Sequence, residues 1–175
     1  TLFIIPVKED CSKFSYAERK AMLEAGCRDL ENVIVCEGSD YSISAATFPT
    51  YFLKELDEAA TTQMTLDLNL CAKRIAPALG AKIRFVGSEP LDQMTKRYNE
   101  LMHEILPLEG ISVVEMERLS EGDQVISASA VRTALAEEKF SEAAAKVYPT
   151  TIPYLLAKLA RSEEHTSELQ SPLII

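Results

Sequence analysis

Ser127, Ser129 and Arg132 stand within seven residues, "ISASAVR" (126–132), at the head of a run with helical spacing. A helix N-terminus carries partial positive charge, so a cation in the first turn is disfavoured. With Ser129 as the N-cap, its hydroxyl accepts from a first-turn amide and Arg132 falls at the third helical position. The remaining free amides and the guanidinium then converge on one point, which favours an anion, most naturally a phosphate. In the competing arrangement Arg132 turns outward and pairs with a surface acid such as Glu137. The motif by itself leaves both open.

The elements that must position these residues are legible from periodicity. Thr1–Val7 ("TLFIIPV"), Asn32–Cys36, Lys82–Val86 and Ile111–Met116 read as short apolar strands. Ser15 with Glu18 three residues later is a capping box, and it predicts a helix through Leu30. Further helices are predicted over Thr65–Leu79, stopped by Gly80, and Leu91–Leu106, ended by Pro107. One runs from the opening motif to about Glu138, and short terminal helices span 140–147 and 153–160. Phe48–Lys54 is aromatic and expected to pack on the body, whereas 54–60 ("KELDEAA") reads as a solvated charge run.

Alternation of strand and helix predicts an α/β fold with a doubly wound parallel sheet. Ligands of such sheets bind beyond the carboxyl ends of the strands. That places Lys8, Glu9 and Asp10 after the first strand and Ser39, Asp40 and Tyr41 after the second. Gly87, Ser88 and Glu89 follow the third, and the loop after the fourth leads into "ISASAVR".

Composition narrows the chemistry. The 175 residues carry a net charge of −9, which disfavours nucleic acid and anionic membrane as partners. No apolar run approaches the roughly 20 residues of a membrane span, and no signal peptide is seen. Cys11, Cys27, Cys36 and Cys71 form no C-x-x-C pair, and His103 and His165 are the only histidines, so neither a zinc site nor a Ser/His/Asp triad is expected. The thiols read as reduced, in a cytoplasmic protein. His103 reads as a surface helix residue; Tyr98 and Asn99 suit packing or recognition. The last residues, "RSEEHTSELQSPLII", shift abruptly in character, and "RSEEHTSELQS" matches the conceptual translation of a sequencing-adapter oligonucleotide. Residues 1–160 are therefore taken as the domain and 161–175 as an artefactual or disordered tail.

"VKEDCSKFSYAERKAML", "GSDYSISAATFPTYFLK", "RFVGSEPLDQMTKRYNELM" and "ISASAVR" together resemble the nucleotidyltransferase domain of citrate lyase ligase. The similarity covers residues 1–157 in order. "ISASAVR" also resembles the motif with which the wider HxGH nucleotidyltransferase superfamily holds the β- and γ-phosphates of ATP. The resemblance implies an AMP-forming acid–thiol ligase. ATP and acetate would give acetyl-adenylate, and the acetyl group would pass to the thiol arm of the citrate lyase acyl carrier protein, activating citrate lyase. It implies triphosphate contacts from Ser127, Ser129 and Arg132, a nucleotide pocket at Gly87, Ser88 and Glu89, and a substrate or phosphate contact from Lys8. Mg²⁺ is expected with ATP, though no carboxylate cage for a metal is visible. Two alternatives are an adenylating enzyme acting on another acid or phosphate-bearing cofactor, and a non-catalytic nucleotide-binding module.

The resemblance departs in one place. The superfamily's HxGH motif follows the first strand of its Rossmann-like sheet, and these 175 residues contain no such motif. The chain is thus expected to lack that strand, which is central in the order 3-2-1-4-5, and to be inactive alone, with no catalytic residue of its own. Its first and third strands are then expected to flank a gap or to pair across it.

Overall fold

The computed structural model describes residues 1–8, 13–53, 57–90, 92–121 and 124–169. Glu9, Asp10 and Cys11 lie outside the described residues, as do 54–56 of the charge run and the end of the tail. The chain forms two compact units. The first comprises Thr1–Ser12 and Asn32–Leu119, the second Lys13–Glu31 and Ser120–Ile175.

The first unit holds four parallel strands in two pairs. β1 (Leu2–Ile4) pairs with β2 (Val33–Val35), and β3 (Ile83–Gly87) pairs with β4 (Ser112–Met116). No described strand joins the pairs, so β1 and β3 do not pair directly. A cavity of about 530 Å³ lies between them. An α/β architecture with parallel strands is thus present, as two half-sheets.

The helices of this unit are α2 (Pro49–Leu53), α3 (Glu58–Leu70), α4 (Ala76–Leu79) and α5 (Gln93–Ile105); α1 (Tyr16–Gly26) belongs to the second unit. α3 begins seven residues before the predicted start, because Asp57 caps it by accepting from Ala60 N–H at 2.7 Å. A π turn, Cys71–Ile75, joins α3 to α4. Pro77 supplies the reason: a helix-interior proline clashes with the carbonyl four residues back, and a widened turn relieves it. Ala60, Met64, Leu68, Ala72 and Ala76 recur every four residues and are all buried. They pack with Tyr98, Leu101 and Met102 of α5 and with the fully buried Phe48. Gly80 closes the run at φ +64°, a left-handed conformation suited to glycine.

Asp67 ties this core to a loop. It is 1% exposed. Its Oδ1 accepts from Ile43 N–H at 2.7 Å and Thr47 Oγ1 at 2.9 Å, and its Oδ2 from the Tyr98 hydroxyl at 2.5 Å. Burial, and then the adjacent carboxylate, push the Tyr98 phenol well above its ordinary value of 10.0.

In the second unit the capping box forms as the sequence requires. Ser15 Oγ accepts from Glu18 N–H at 3.3 Å, and Glu18 Oε2 accepts from Ser15 N–H at 2.8 Å. A two-rung hairpin, β5 (Ser120–Glu121) with β6 (Gln124–Val125), stands where a loop was predicted. It leads into α6 (Ala128–Ala136), followed by α7 (Phe140–Ala145) and α8 (Ile152–Leu169). Val131, Ala134 and Leu135 bury one face of α6 against Ala143, Leu155 and Phe14. α8 continues past Ala160, and Arg161 donates to Glu18.

Tyr98→Phe leaves Asp67 Oδ2 without its donor and is expected to lower the unfolding free energy by about 1–3 kcal/mol in urea titrations. Because folding raises the phenol's pKa, this contribution is complete below about pH 10 and declines as pH rises further, where an unfolded tyrosine ionises. The variant is expected to show a shallower alkaline loss of stability than the parent; identical alkaline limbs would contradict the assignment.

Candidate functional site

The loops beyond the strand ends carry the candidate residues in two sets. Lys8 and Gly87–Glu89 belong to the first unit, Ser127, Ser129 and Arg132 to the second.

Lys8 follows β1 and reaches Asp40, which follows β2, at 3.0 Å. Both are substantially exposed, so the pair contributes little to stability and can exchange partners readily. The Asp40 backbone is held more firmly. Ser44 Oγ donates to Asp40 O at 2.5 Å, and Tyr41 N–H donates to Ser39 Oγ at 3.0 Å. Ile43 sits at φ +48°, a conformation that β-branched residues rarely adopt. That strain, about 1–3 kcal/mol, is offset by the Ile43 N–H bond to Asp67. Asp67 was invisible to sequence reasoning, because a lone aspartate within a helical run resembles a surface residue.

The segment after β3 is braced from several sides. Asn99 Nδ2 donates to Gly87 O at 3.0 Å, and Ser88 N–H to Met116 O at 2.9 Å. Arg118 Nε donates to Ser88 O at 2.6 Å, and its guanidinium also pairs with Glu89. The other Glu89 oxygen accepts from Asp92 N–H at 3.1 Å. The Glu89 carboxylate, 9% exposed, therefore braces its own loop. Space opens at Gly87, where nothing lies within 4 Å of the position a Cβ would take. Asn99 Oδ1 is buried without a partner. Neither Asn99 nor Arg118 carried a sequence signal strong enough to assign it a role here.

At "ISASAVR" the capping differs from the expectation. Ser127, not Ser129, is the N-cap, with its Oγ accepting from Ala130 N–H at 3.1 Å. The helix starts two residues earlier because Ala128 already has helical geometry after the extended Ser127. Arg132 thus lies at the fifth helical position instead of the third. Its guanidinium folds back and donates to Ser129 Oγ at 2.9 Å, not to Glu137, which bonds Lys139. Through that bond the guanidinium is held at Ser129, in the first turn of α6, and the amino end of a helix is where an anion is favoured.

The remaining candidates are structural. His103 lies on the α5 surface, 3.1 Å from Glu115. Tyr98 and Asn99 are buried. Cys27, Cys36 and Cys71 are free thiols, and burial pushes the Cys71 thiol above its usual range, away from nucleophilic use. Among the described residues no cluster of three His, Cys, Asp or Glu side chains could hold a metal. None of the described helices is long and apolar enough to cross a membrane.

Residues 1–155 match the family model described as "Citrate lyase ligase C-terminal domain". The chain belongs to the citrate lyase ligase family. It is 41% identical over 170 residues to the [citrate [pro-3S]-lyase] ligase of Klebsiella pneumoniae, covering 95% of this chain and 49% of that protein. The proteins of the same name from Haemophilus influenzae and Escherichia coli are 42% and 38% identical, with 88% and 97% of this chain and 48% and 49% of theirs aligned. The chain spans about half the length of these curated relatives. No solved structure matches it significantly.

The two serines of the motif are separable. Ser127→Ala removes the cap of α6 and is expected to lower stability by about 1 kcal/mol. Ser129→Ala is expected to leave stability within about 0.5 kcal/mol of the parent. Equal losses in thermal melts of the two variants would show that the capping assignment is wrong.

Proposed function

We propose that this chain is the nucleotide-binding half of an AMP-forming ligase that attaches acetate to the thiol arm of the citrate lyase acyl carrier protein, in the cytoplasm. The observation that carries the reading is the bond from the Arg132 guanidinium back to Ser129 in the first turn of α6, in a chain of the citrate lyase ligase family. In the reaction a carboxylate oxygen of acetate attacks the α-phosphorus of ATP and expels pyrophosphate. The carrier thiol then attacks the acetyl-adenylate carbonyl, forming the thioester and releasing AMP. Arg132 and the α6 amides would hold the leaving pyrophosphate's charge, while Ser127 caps and orients that helix and Ser129 steadies the guanidinium.

Gly87 and Ser88 would take the nucleoside, supported by the open space above Gly87 and the braced backbone on either side. Glu89 serves that pocket by fixing the loop. Lys8 would take a substrate carboxylate or phosphate in place of Asp40, a reading supported by the exposure of that pair. Mg²⁺ would arrive on the phosphates of ATP, a common mode for this ion, since no set of three protein ligands is at hand among the described residues. The finer fold reading is a Rossmann-like nucleotidyltransferase sheet in the order 3-2-1-4-5 without its central strand, supported by the two parallel pairs and the gap between them. Residues 1–160 form the functional part, and 161–175 stand outside it; the family match ends at 155.

Titration calorimetry of the chain with ATP tests the phosphate assignment. Arg132→Ala is expected to weaken binding about tenfold, the loss of one charge-assisted contact. Equal ATP affinity in parent and variant removes Arg132 from the site. In a chain extended to the relatives' length, acetate-dependent pyrophosphate release with hydroxylamine-trappable acetyl-adenylate tests the reaction itself.

A further inference from the structure

Two strand-end loops of the first unit meet on one helix. On one side, the Tyr98 hydroxyl of α5 donates to Asp67 Oδ2 at 2.5 Å, and Asp67 Oδ1 accepts from Ile43 N–H and Thr47 Oγ1. The loop so held presents Asp40 to Lys8 and is tightened by the bond from Ser44 Oγ to Asp40 O. The Tyr98 ring also packs on Phe48, immediately after that loop, with 5.6 Å between centroids. On the other side, Asn99 Nδ2 donates to Gly87 O at 3.0 Å and closes the loop after β3 back onto α5. Asp92 completes the closure: its N–H donates to Glu89, and its carboxylate caps α5 by accepting from Thr95 N–H at 2.8 Å. Tyr98 and Asn99 are adjacent and each is 5% exposed. A displacement of one is passed to the other through their shared backbone and close-packed surroundings.

Each end of this chain of bonds is held at a cost. Ile43 sits at φ +48°. Asn99 Oδ1 is buried without a hydrogen-bond partner, alone in this among the side-chain oxygens and nitrogens of the described residues. Costs of this kind mark segments that a bound ligand can shift, because a new partner or a relaxed turn returns the cost. We propose that Tyr98 and Asn99 are positioning residues that couple the two loops: a ligand seated at Gly87 and Ser88 alters, through α5 and Asp67, the hold on the Lys8–Asp40 pair. Binding at one loop is then cooperative with binding at the other. The identities of the ligands rest on the functional reading above, in which the nucleotide lies after β3 and the acid meets Lys8. By linkage, whatever factor the nucleotide adds to the affinity for the acid, the acid adds to the affinity for the nucleotide.

The link itself is tested without any ligand, by amide exchange of the 175-residue chain followed by NMR. Asn99→Ala is expected to speed exchange of the Ile43 amide about threefold or more, although that amide is bonded to Asp67 and not to Asn99. In a Tyr98→Phe background the same substitution is expected to leave Ile43 at the rate that Tyr98→Phe alone gives it. Arg97→Ala, on the other side of Tyr98 and paired with Glu100 and Glu104, is expected to leave Ile43 unchanged. Asn99→Ser takes the place of Asn99→Ala should the latter unfold the chain. Saturating ATP is then expected to shift the Asp40, Tyr41 and Ile43 amides in the parent, and in Tyr98→Phe to shift those of Gly87, Ser88 and Glu89 alone. An Ile43 rate indifferent to Asn99, effects of the two substitutions that simply add, or ATP shifts at Asp40, Tyr41 and Ile43 that survive Tyr98→Phe each overturn the inference. ATP that shifts neither loop overturns the nucleotide reading instead, and the ligand-free exchange still decides the link.

Discussion

A carboxylate in an apolar interior costs several kcal/mol unless its oxygens are hydrogen-bonded. Asp67 meets that condition with three donors drawn from two places: Ile43 and Thr47 in the loop after β2, and Tyr98 on α5. The same contacts fix α3, α5 and that loop to one another. They also stabilise the left-handed backbone at Ile43, which otherwise favours relaxation of the turn. Asp40 is presented beside Lys8 by this loop, so a buried side chain governs where an exposed strand-end pair stands.

A similar division of labour recurs after β3. Glu89 has the chemistry of a ligand contact but bonds to Arg118 and Asp92. What these bonds hold in place is the backbone at Gly87, with open space where a Cβ would stand. The groups that position this loop are thus distinct from the surface it leaves open. At α6 the roles divide too: Ser127 caps the helix, and Ser129 accepts from the Arg132 guanidinium.

Backbone pairing sets the limit on the sheet. Each of β1 and β3 is hydrogen-bonded along one edge only among the described residues, and short parallel pairs are weak units on their own. The core of the first unit accordingly lies in the helices, on the every-four stripe from Ala60 to Ala76 and its packing against α5, instead of in strand-to-strand contact.

The four strands, the capping box at Ser15 and the stop at Gly80 were legible in sequence, because periodicity and cap chemistry act over a few residues and repeat. α3 was read seven residues short, since Asp57, Glu58 and a threonine-rich stretch look like a charged loop until the cap bond to Ala60 is formed. For "ISASAVR" the sequence left open whether Arg132 meets an anion or a surface acid, and which serine caps depended on one backbone dihedral, which moved Arg132 by two positions. Asp67, Asn99 and Arg118 were not legible, because their partners lie between 12 and 31 residues away. Sequence by itself determined the residue types, the alternation of strand and helix, and the family. Tertiary structure decided which of those residues brace the strand-end loops and which stay exposed, because burial and long-range hydrogen bonds arise only once distant segments pack.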